Sequence, residues 1–326
     1  MTCAARIRTL VAALLALLPL SSQGQNMPAK PIHLLSPYSA GSGPDVGLRI
    51  IADRLSKTWN QAVLVETRSG ANGIVAVEGL KKLPADGSGL ALLDDAITAI
   101  NPFLYASLPY SPEADLTPIS MVMDVSFAIM VTPSGPFKTF KDLIAYAKNN
   151  PGKLSYGVPM GIGHPAHLGM ERLKVLTGTD ITLVPYKASG PMLTDVGAGT
   201  LPMAWASYPS TRSFLQAGTV RPLATGAKSR DRNLPEVPTI VEAGGPESFV
   251  VDSWMALFGP RGLSRDLTAA IARDVAATQG AREVADKITG MGYGIVVGGP
   301  DALQERMRAD AKKNGDIIRR LNIKID

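Results

Sequence analysis

The chain has 326 residues and a formal net charge of +5, and 45% of its residues are hydrophobic while 19% are charged. Its basic residues are scattered, with nothing denser than the pairs Lys312-Lys313 and Arg319-Arg320, which argues against a nucleic-acid-binding protein. This length exceeds what one hydrophobic core usually organises, so we expect a globular protein with two lobes.

The N-terminus carries the pattern of a secretory signal peptide. Arg6 and Arg8 precede nine apolar residues, Leu10–Leu18, and the small-residue run Ser21–Gly24 follows. A helix that crosses a bilayer needs about 20 apolar residues, so this segment is too short for an anchor. We therefore predict that residues 1–24 are removed on export to the periplasm and that the mature protein is soluble. Cys3 is the only cysteine and leaves with the signal peptide, so no disulfide is expected.

Strand-like and helical patterns alternate in the first part of the mature chain. Short apolar or β-branched runs predict strands at Ile32–Ser36, Ala62–Thr67 and Leu90–Leu93. Between the first two strands, Asp45–Trp59 has apolar residues at helical spacing and predicts a helix. The order β-α-β-α-β is that of an open α/β unit.

The same alternation restarts after Pro151 and predicts a second α/β unit. The predicted strands are Leu154–Val158, Ile181–Val184, Met203–Ser207 and Leu223–Thr225. The predicted helices between them begin near Ala166, Pro191 and Tyr208.

Two extended apolar segments lie outside these units. Ile119–Thr132 has no helical phasing, and Val250–Gly259 is another extended run, so we predict that the chain crosses between lobes there. The C-terminal part is helical, at Leu267–Gln279 and Ala302–Leu321. The second of these helices is charged and amphipathic, and we expect it to pack onto the first lobe.

Two glycine-rich turns are the candidate ligand-binding loops. The first runs from Pro37 to Asp45 between the first strand and the first helix, with glycines at positions 41 and 43. The second, Gly157–His167, occupies the equivalent place in the second unit. Glycines allow backbone amides to approach a ligand closely, and amides at a helix N-terminus favour an anion. Because ligands of open α/β sheets bind at the carboxyl ends of strands, the turns are expected to face each other across a cleft.

Other chemistries are less well supported by the sequence. The glycines of the first turn miss the dinucleotide-binding spacing, and no G-x-S-x-G or H-E-x-x-H motif occurs. His164 and His167 with Glu171 resemble a metal site, but histidines in such a loop more often cap or pack it. A hydrolase with Ser42 as nucleophile and one of these histidines as base stays an alternative, because triads assemble from distant residues. His33 lies within a predicted strand and is expected to be structural.

A succession of motifs along nearly the whole mature chain resembles the solute-binding receptors of tripartite tricarboxylate transporters, also called Bug receptors. In the first half these are Lys30-Pro31-Ile32, Pro37-Tyr38 through Gly41 to Asp45, Glu66 to Gly73, Asp86-Gly87, Asn101-Pro102 and Leu108-Pro109-Tyr110. In the second half they are Pro151 to Leu154, the turn ending at His167, Val184 to Lys187, Leu234 to Thr239, Glu242-Ala243-Gly244 and Trp254. Each motif is weak, and their order is specific.

The resemblance implies an α/β, two-lobed periplasmic-binding-protein fold of type II, the Venus-flytrap fold. The first lobe then comprises residues 25–126 plus 247–326, and the second lobe residues 127–246. It also implies a small carboxylate as ligand, integral membrane transporter subunits as partners, and no cofactor, metal or enzymatic activity. We expect a monomer. The ligand-binding residues expected from the family's loops and from the neighbouring strand end are Tyr38, Ser39, Ala40, Gly41, Ser42, Gly43, Asn72, Met160, Gly161, Ile162, Gly163, His164, Trp205 and Ser207.

Departures from the family pattern bear on the ligand. Where similar proteins carry an acidic residue at a strand end, this chain has Ala206 between Trp205 and Ser207. An acid there would suit a ligand ammonium group, so the sequence predicts a carboxylate without an amine, and an aromatic one is compatible with Tyr38 and Trp205. A role as a sensor that presents its ligand to a signalling partner stays open beside transport.

Overall fold

The structure is a computed structural model that describes residue 27 and residues 29–325. The predicted signal peptide lies outside the described residues. Within the described part, none of the helices combines the length and the apolar character that a membrane crossing requires. The described chain forms two sheets that share one long strand.

The first sheet has the order β2-β1-β3-β9-β4, with β10 also paired to β4. Its parallel strands β1 to β3 are followed in space by β9, which runs antiparallel to both β3 and β4. The strands are β1 (Ile32–Ser36), β2 (Val63–Thr67), β3 (Gly89–Asp94), β4 (Leu116–Val131), β9 (Asp252–Pro260) and β10 (Gly294–Gly298).

The second sheet has the equivalent order β6-β5-β7-β4, with β8 on the far side of β4. Strands β5, β6 and β7 are parallel, and β4 is antiparallel to β7 and to β8. The additional strands are β5 (Leu154–Pro159), β6 (Ile181–Tyr186), β7 (Met203–Ser207) and β8 (Arg221–Thr225). In each sheet, an antiparallel strand lies beside the third parallel strand: β9 beside β3 in the first sheet and β4 beside β7 in the second.

The strand β4 connects the two sheets. Its residues up to Ser126 pair with β9, and its residues from Phe127 onward pair with β7 and β8. The predicted crossing at Ile119–Thr132 lies within this strand except for its last residue. The chain returns before β9, where the Val251 amide donates to the Gly226 carbonyl at 2.8 Å. The second predicted crossing, Val250–Gly259, falls mostly in β9, whose ladder belongs to the first sheet alone.

Helices cover both sheets, and their ends follow local sequence signals. Helix α1 has Pro44 in its first turn, and α6 ends on a left-handed glycine, Gly178. The helices are α1 (Gly43–Trp59), α2 (Ile74–Leu80), α3 (Asn101–Leu104), α4 (Pro112–Asp115), α5 (Phe140–Asn149), α6 (Pro165–Thr177), α7 (Ser189–Ala198), α8 (Tyr208–Gln216), α9 (Arg265–Gly280), α10 (Arg282–Gly290) and α11 (Pro300–Leu321). A π-helical turn, Ala96–Ile100, precedes α3.

Each lobe has its own hydrophobic core. In the first lobe, α1 and α9 pack on one face of the first sheet, and α2 with the start of α11 packs on the other. In the second lobe, Phe249 and Val251 join the core that contains β5 and α6. A small apolar cluster joins the lobes, because Leu104 of α3 and Ile317 of α11 pack with Leu168 of α6. The last helix thus packs on the first lobe, as expected, and its final turns also reach the second.

Candidate functional site

The first glycine-rich loop is held mainly by its own side chains. The Tyr38 hydroxyl donates to Asp94 Oδ2 at 2.8 Å, which ties the loop to the end of β3. The Gly41 amide, which the sequence suggested as a free anion donor, instead donates to Asp45 Oδ2 at 2.9 Å. The Ser42 amide donates to the Ser39 carbonyl at 3.1 Å. Two of the expected anion-binding amides are therefore already engaged.

The second glycine-rich loop is strained. Met160, Gly161 and Gly163 all have positive φ, at 61°, 73° and 86°. For a residue with a side chain such as Met160 this conformation is unfavourable, and strain of this kind clusters at ligand-binding segments. A Cβ on Gly163 would lie only 2.3 Å from Leu104 Cδ1, so the glycine permits the two lobes to approach.

A third loop, Gly70–Gly73, lies at the start of α2 and has four successive positive φ angles. Hydrogen bonds from the first lobe hold it in this conformation. Asn101 Nδ2 donates to the Asn72 carbonyl at 3.0 Å, and Asn72 Nδ2 donates to the Tyr105 hydroxyl at 2.7 Å. The loop is thus fixed by its surroundings and presents a rigid edge.

These three loops enclose a cavity of about 330 Å³ between the lobes. This volume is at the small end of the range for small-molecule sites, and it equals the bulk volume of about ten waters. The first lobe contributes Pro37, Tyr38, Gly70, Ala71, Asn72, Gly73, Asp94, Ala96, Ile97, Asn101 and Leu104, and the second contributes Met160, Ile162, Gly163 and His164.

Six of the expected ligand-binding residues line this cavity. They are Tyr38, Asn72, Met160, Ile162, Gly163 and His164.

The other expected residues of the first loop lie elsewhere. Ser39, Ala40 and Gly41 are exposed. The Ser42 hydroxyl is buried, and within the described part of the chain it has no hydrogen-bond partner. Gly43 packs so closely on Tyr293 that a Cβ would overlap the phenol ring.

The strand-end residues do not reach the cavity either. Trp205 has no exposed surface and packs edge-on against Phe249 in the core of the second lobe. Ser207 Oγ lies 3.1 Å from Ser210 Oγ at the start of α8. Gly161 is not part of the cavity wall, although both of its neighbours are.

His164 is a neutral hydrogen-bond donor at the cavity wall. Its Nδ1 accepts the Ala166 amide at 3.2 Å and so caps α6. Burial, with a smaller contribution from His167, lowers the pKa of His164 to about 4, so the ring is neutral at pH 7. A neutral imidazole whose Nδ1 accepts must carry its proton on Nε2. The ring therefore offers one N–H donor without a positive charge.

The histidine pair is used as loop caps. His167 Nδ1 accepts the Gly163 amide at 3.2 Å, and Glu171 accepts the Tyr156 hydroxyl and pairs with Lys174. Within the described residues no group of three or more His, Cys, Asp or Glu side chains is arranged to hold a metal ion.

Sequence reasoning missed several cavity residues of the first lobe. Asp94, Ala96, Ile97, Asn101 and Leu104 all line the wall. A signal was present, because Asp94 and Asp95 are two carboxyls directly after an apolar strand, at the end where α/β ligands bind.

Comparison with known sequences identifies one family over most of the chain. The sequence model described as tripartite tricarboxylate transporter family receptor matches residues 48–323. Protein BugT of Bordetella pertussis (strain Tohama I) is 30% identical over 299 residues, which cover 91% of this chain and 91% of that protein.

Solved structures give the same architecture. The structure of R. palustris Rpa4515 with adipate has a TM-score of 0.77 and 33% identity, and the match covers 90% of this chain and 97% of that one. A structure described as a periplasmic transporter also has a TM-score of 0.77, with 29% identity and coverage of 92% and 99%. The fold is thus the two-lobed α/β fold of periplasmic binding proteins, as the resemblance predicted.

Proposed function

The chain belongs to the tripartite tricarboxylate transporter receptor family, and on that premise we propose that it is an exported receptor for a small organic carboxylate. It captures the acid between its lobes in the periplasm and delivers it to the integral membrane subunits of a tripartite tricarboxylate-type transporter. The observation that carries this proposal is the cavity whose wall comes from both lobes. The related Rpa4515 protein was solved with adipate, which is a small organic carboxylate.

The cavity residues assigned to ligand binding are Tyr38 and Asn72 of the first lobe and Met160, Ile162, Gly163 and His164 of the second. The Nε2–H of His164 donates to the acid. Hydrogen bonds to a charged group contribute about 1.5–3 kcal/mol each, and micromolar affinity corresponds to about −8 kcal/mol, so a few donors suffice. Ser39–Gly43, Gly161, Trp205 and Ser207 are left out of the assignment because none of them lines the cavity.

Two lobes that share one ligand also explain how binding is signalled. A ligand that contacts both walls stabilises the closed arrangement and shifts the population towards it. We assign residues 25–126 to the first lobe and begin the second at Phe127, where β4 changes its partners. We place the return at Asp252, five residues later than the sequence suggested, because Phe249 and Val251 pack in the second core.

Native mass spectrometry of protein freshly purified from the periplasm tests the proposal. We expect a mass excess that disappears on denaturation and corresponds to a small organic acid. Calorimetry with that acid then compares the wild type with His164→Asn, because asparagine keeps the helix cap while it removes the Nε2–H. The matched control is His33→Asn. His33 lies on β1, outside the cavity, and pairs with Glu66 at 2.5 Å.

The expected result is a loss of affinity of about ten-fold or more for His164→Asn and no change for the control. The proposed function is wrong if the retained molecule carries no carboxylate and no acid binds. If both variants bind like the wild type, the role assigned to His164 is wrong.

Two alternatives make different predictions. A serine hydrolase needs a base beside its nucleophile, and the Ser42 hydroxyl is buried and has no hydrogen-bond partner among the described residues, which argues against this role. Turnover of activated esters that Ser42→Ala abolishes would support it. A sensor role leaves binding intact, so it is separated from transport by uptake of the acid in a deletion strain.

A further inference from the structure

Among the described residues that line the cavity, one carries a carboxyl group and none is lysine or arginine. Among its lining residues the titratable side chains are Tyr38, Asp94 and His164. His164 is neutral at pH 7, as shown above, and Tyr38 keeps its proton because burial, reinforced by Asp94, raises its pKa well above the usual value. Asp94 is therefore the lining side chain that can supply a negative charge, which is unusual for a site that binds a carboxylate.

Asp94 is held in place with acceptor capacity to spare. Its Oδ1 accepts the Ile97 amide at 2.9 Å, and its Oδ2 accepts the Tyr38 hydroxyl at 2.8 Å. A carboxylate has about four acceptor positions, so at least one remains for a group in the cavity. Asp94 is partly exposed, whereas the adjacent Asp95 is 3% exposed and accepts the Ser253 hydroxyl.

The two adjacent carboxyls are not equivalent. Burial, with the charge of Asp94 adding to it, raises the pKa of Asp95 well above the usual range, which favours a neutral Asp95. Burial also raises the pKa of Asp94, but the Ile97 amide and the Tyr38 hydroxyl act in the opposite direction. The net result is a raised pKa for Asp94, so a cationic group beside this carboxyl in the cavity would favour its ionised form.

The sequence argument against an amine depended on the wrong position. Ala206 has no exposed surface and packs with Met192 and Val196 of α7 in the core of the second lobe. A side chain there faces the core and does not reach the cavity, so the lack of an acid at Ala206 does not restrict the ligand. The acid is instead supplied from the first lobe, by Asp94.

We propose that the acid captured by this receptor also carries an ammonium group, and that Asp94 is the residue that selects for it. This inference rests on the proposed function, since it names the ligand class of the same cavity. In this arrangement the ammonium group contacts Asp94 and the carboxylate contacts the wall formed by the second lobe, including His164. An amine-free dicarboxylate would bring a negative charge towards Asp94 without compensation, which is unfavourable in a partly desolvated site.

Asp94 also has a structural role, which a suitable substitution preserves. Its Oδ1 accepts the Ile97 amide three residues on, as an N-cap residue does at the start of a helical turn. Asparagine is an equally good cap, so Asp94→Asn removes the charge and keeps the cap and the shape, while its Nδ2 replaces the oxygen that accepts the Tyr38 hydroxyl and can instead donate to the Tyr38 oxygen. Thermal unfolding of this variant is expected to stay close to that of the wild type, so a binding change does not come from a loss of the fold.

Calorimetry with matched pairs of acids tests the assignment. The pairs are succinate with aspartate, glutarate with glutamate, and adipate with 2-aminoadipate, each differing by one ammonium group. Malate carries a hydroxyl at the carbon where aspartate carries its ammonium group, so it separates the effect of charge from that of hydrogen bonding. Butane-1,4-diamine has ammonium groups and no carboxylate, so it tests whether a cation alone binds. The control variant is Asp53→Asn, which removes an exposed carboxylate of α1 that pairs with Lys57.

For at least one pair, wild type and Asp53→Asn are expected to bind the amino acid about ten- to a hundred-fold more tightly than its amine-free partner. Asp94→Asn is expected to abolish or reverse this preference. If malate binds as tightly as aspartate, or if Asp94→Asn leaves the ratio within each pair unchanged, the inference is wrong while the carboxylate function stands. If only the diamine binds, and through Asp94, the carboxylate function is wrong and the cation site stands. If nothing binds, both are overturned.

Discussion

The contact between Gly163 and Leu104 gives a sharp test of how the lobes approach each other. Gly163→Ala has two effects: alanine at a φ of +86° costs about 1–2 kcal/mol, and its Cβ would lie 2.3 Å from Leu104 Cδ1. Carbon atoms prefer a separation of about 3.5–4.0 Å, and overpacking of this kind costs about 1–3 kcal/mol more. The free energy of unfolding should therefore fall by about 2–5 kcal/mol.

Gly161→Ala is the matched control in the same loop. Gly161 has a φ of +73°, but no atom lies within 4 Å of an added Cβ, so only the backbone cost of about 1–2 kcal/mol is expected. Urea unfolding followed by fluorescence and circular dichroism gives the two free energies, provided that the transitions coincide. In a Leu104→Ala background the cost of Gly163→Ala should fall to that of Gly161→Ala. Equal losses for the two glycine variants, or no relief by Leu104→Ala, would refute the reasoning.

Three further predictions concern polar side chains that are buried or half-buried. Since the pKa of His164 is lowered to about 4, the unfolded chain binds a proton at this residue before the folded chain does on acidification. The free energy of unfolding is therefore unaffected above pH 6.5 and falls between pH 6.5 and about 4 by at most about 3 kcal/mol. A urea series across this range should show a smaller loss for His164→Asn. Arg306→Met should cost about 2–3 kcal/mol in unfolding free energy, because it removes the partner that bonds Asp252 and Asp310 at 2.8 and 2.6 Å; an unchanged melting temperature would contradict this. Ser42→Ala should change stability by less than about 0.5 kcal/mol, because the hydroxyl has no partner among the described residues, and a large loss would reveal a missed contact.

Much of the local structure was predictable from the sequence. The strand Ile32–Ser36 and the helix ending at Trp59 occur where the apolar pattern put them, and the second unit repeats the same alternation. The helix Phe140–Asn149 was not predicted, although it begins with a capping box at Thr139. Nor was the short strand Gly294–Gly298, whose role is only to add an edge to β4.

The cavity itself was only partly predictable. The glycine turns indicated the loops at Tyr38 and at Met160–His164, because helix starts after strands have a recognisable composition. The sequence could not indicate that Trp205 turns into the core, or that Asp94 meets Tyr38, since both depend on strands far apart in the chain.

The sequence by itself determined most of the elements and the family, because periodicity and turn chemistry are properties of neighbouring residues. Tertiary structure decided which side chains share the cavity. The chain runs through both sheets along β4 and returns to the first sheet before β9, so the cavity brings together loops that are far apart in the chain, such as those at Tyr38 and His164. A residue's alternation along its strand is local, but whether its face borders a core or a cleft depends on what packs against it.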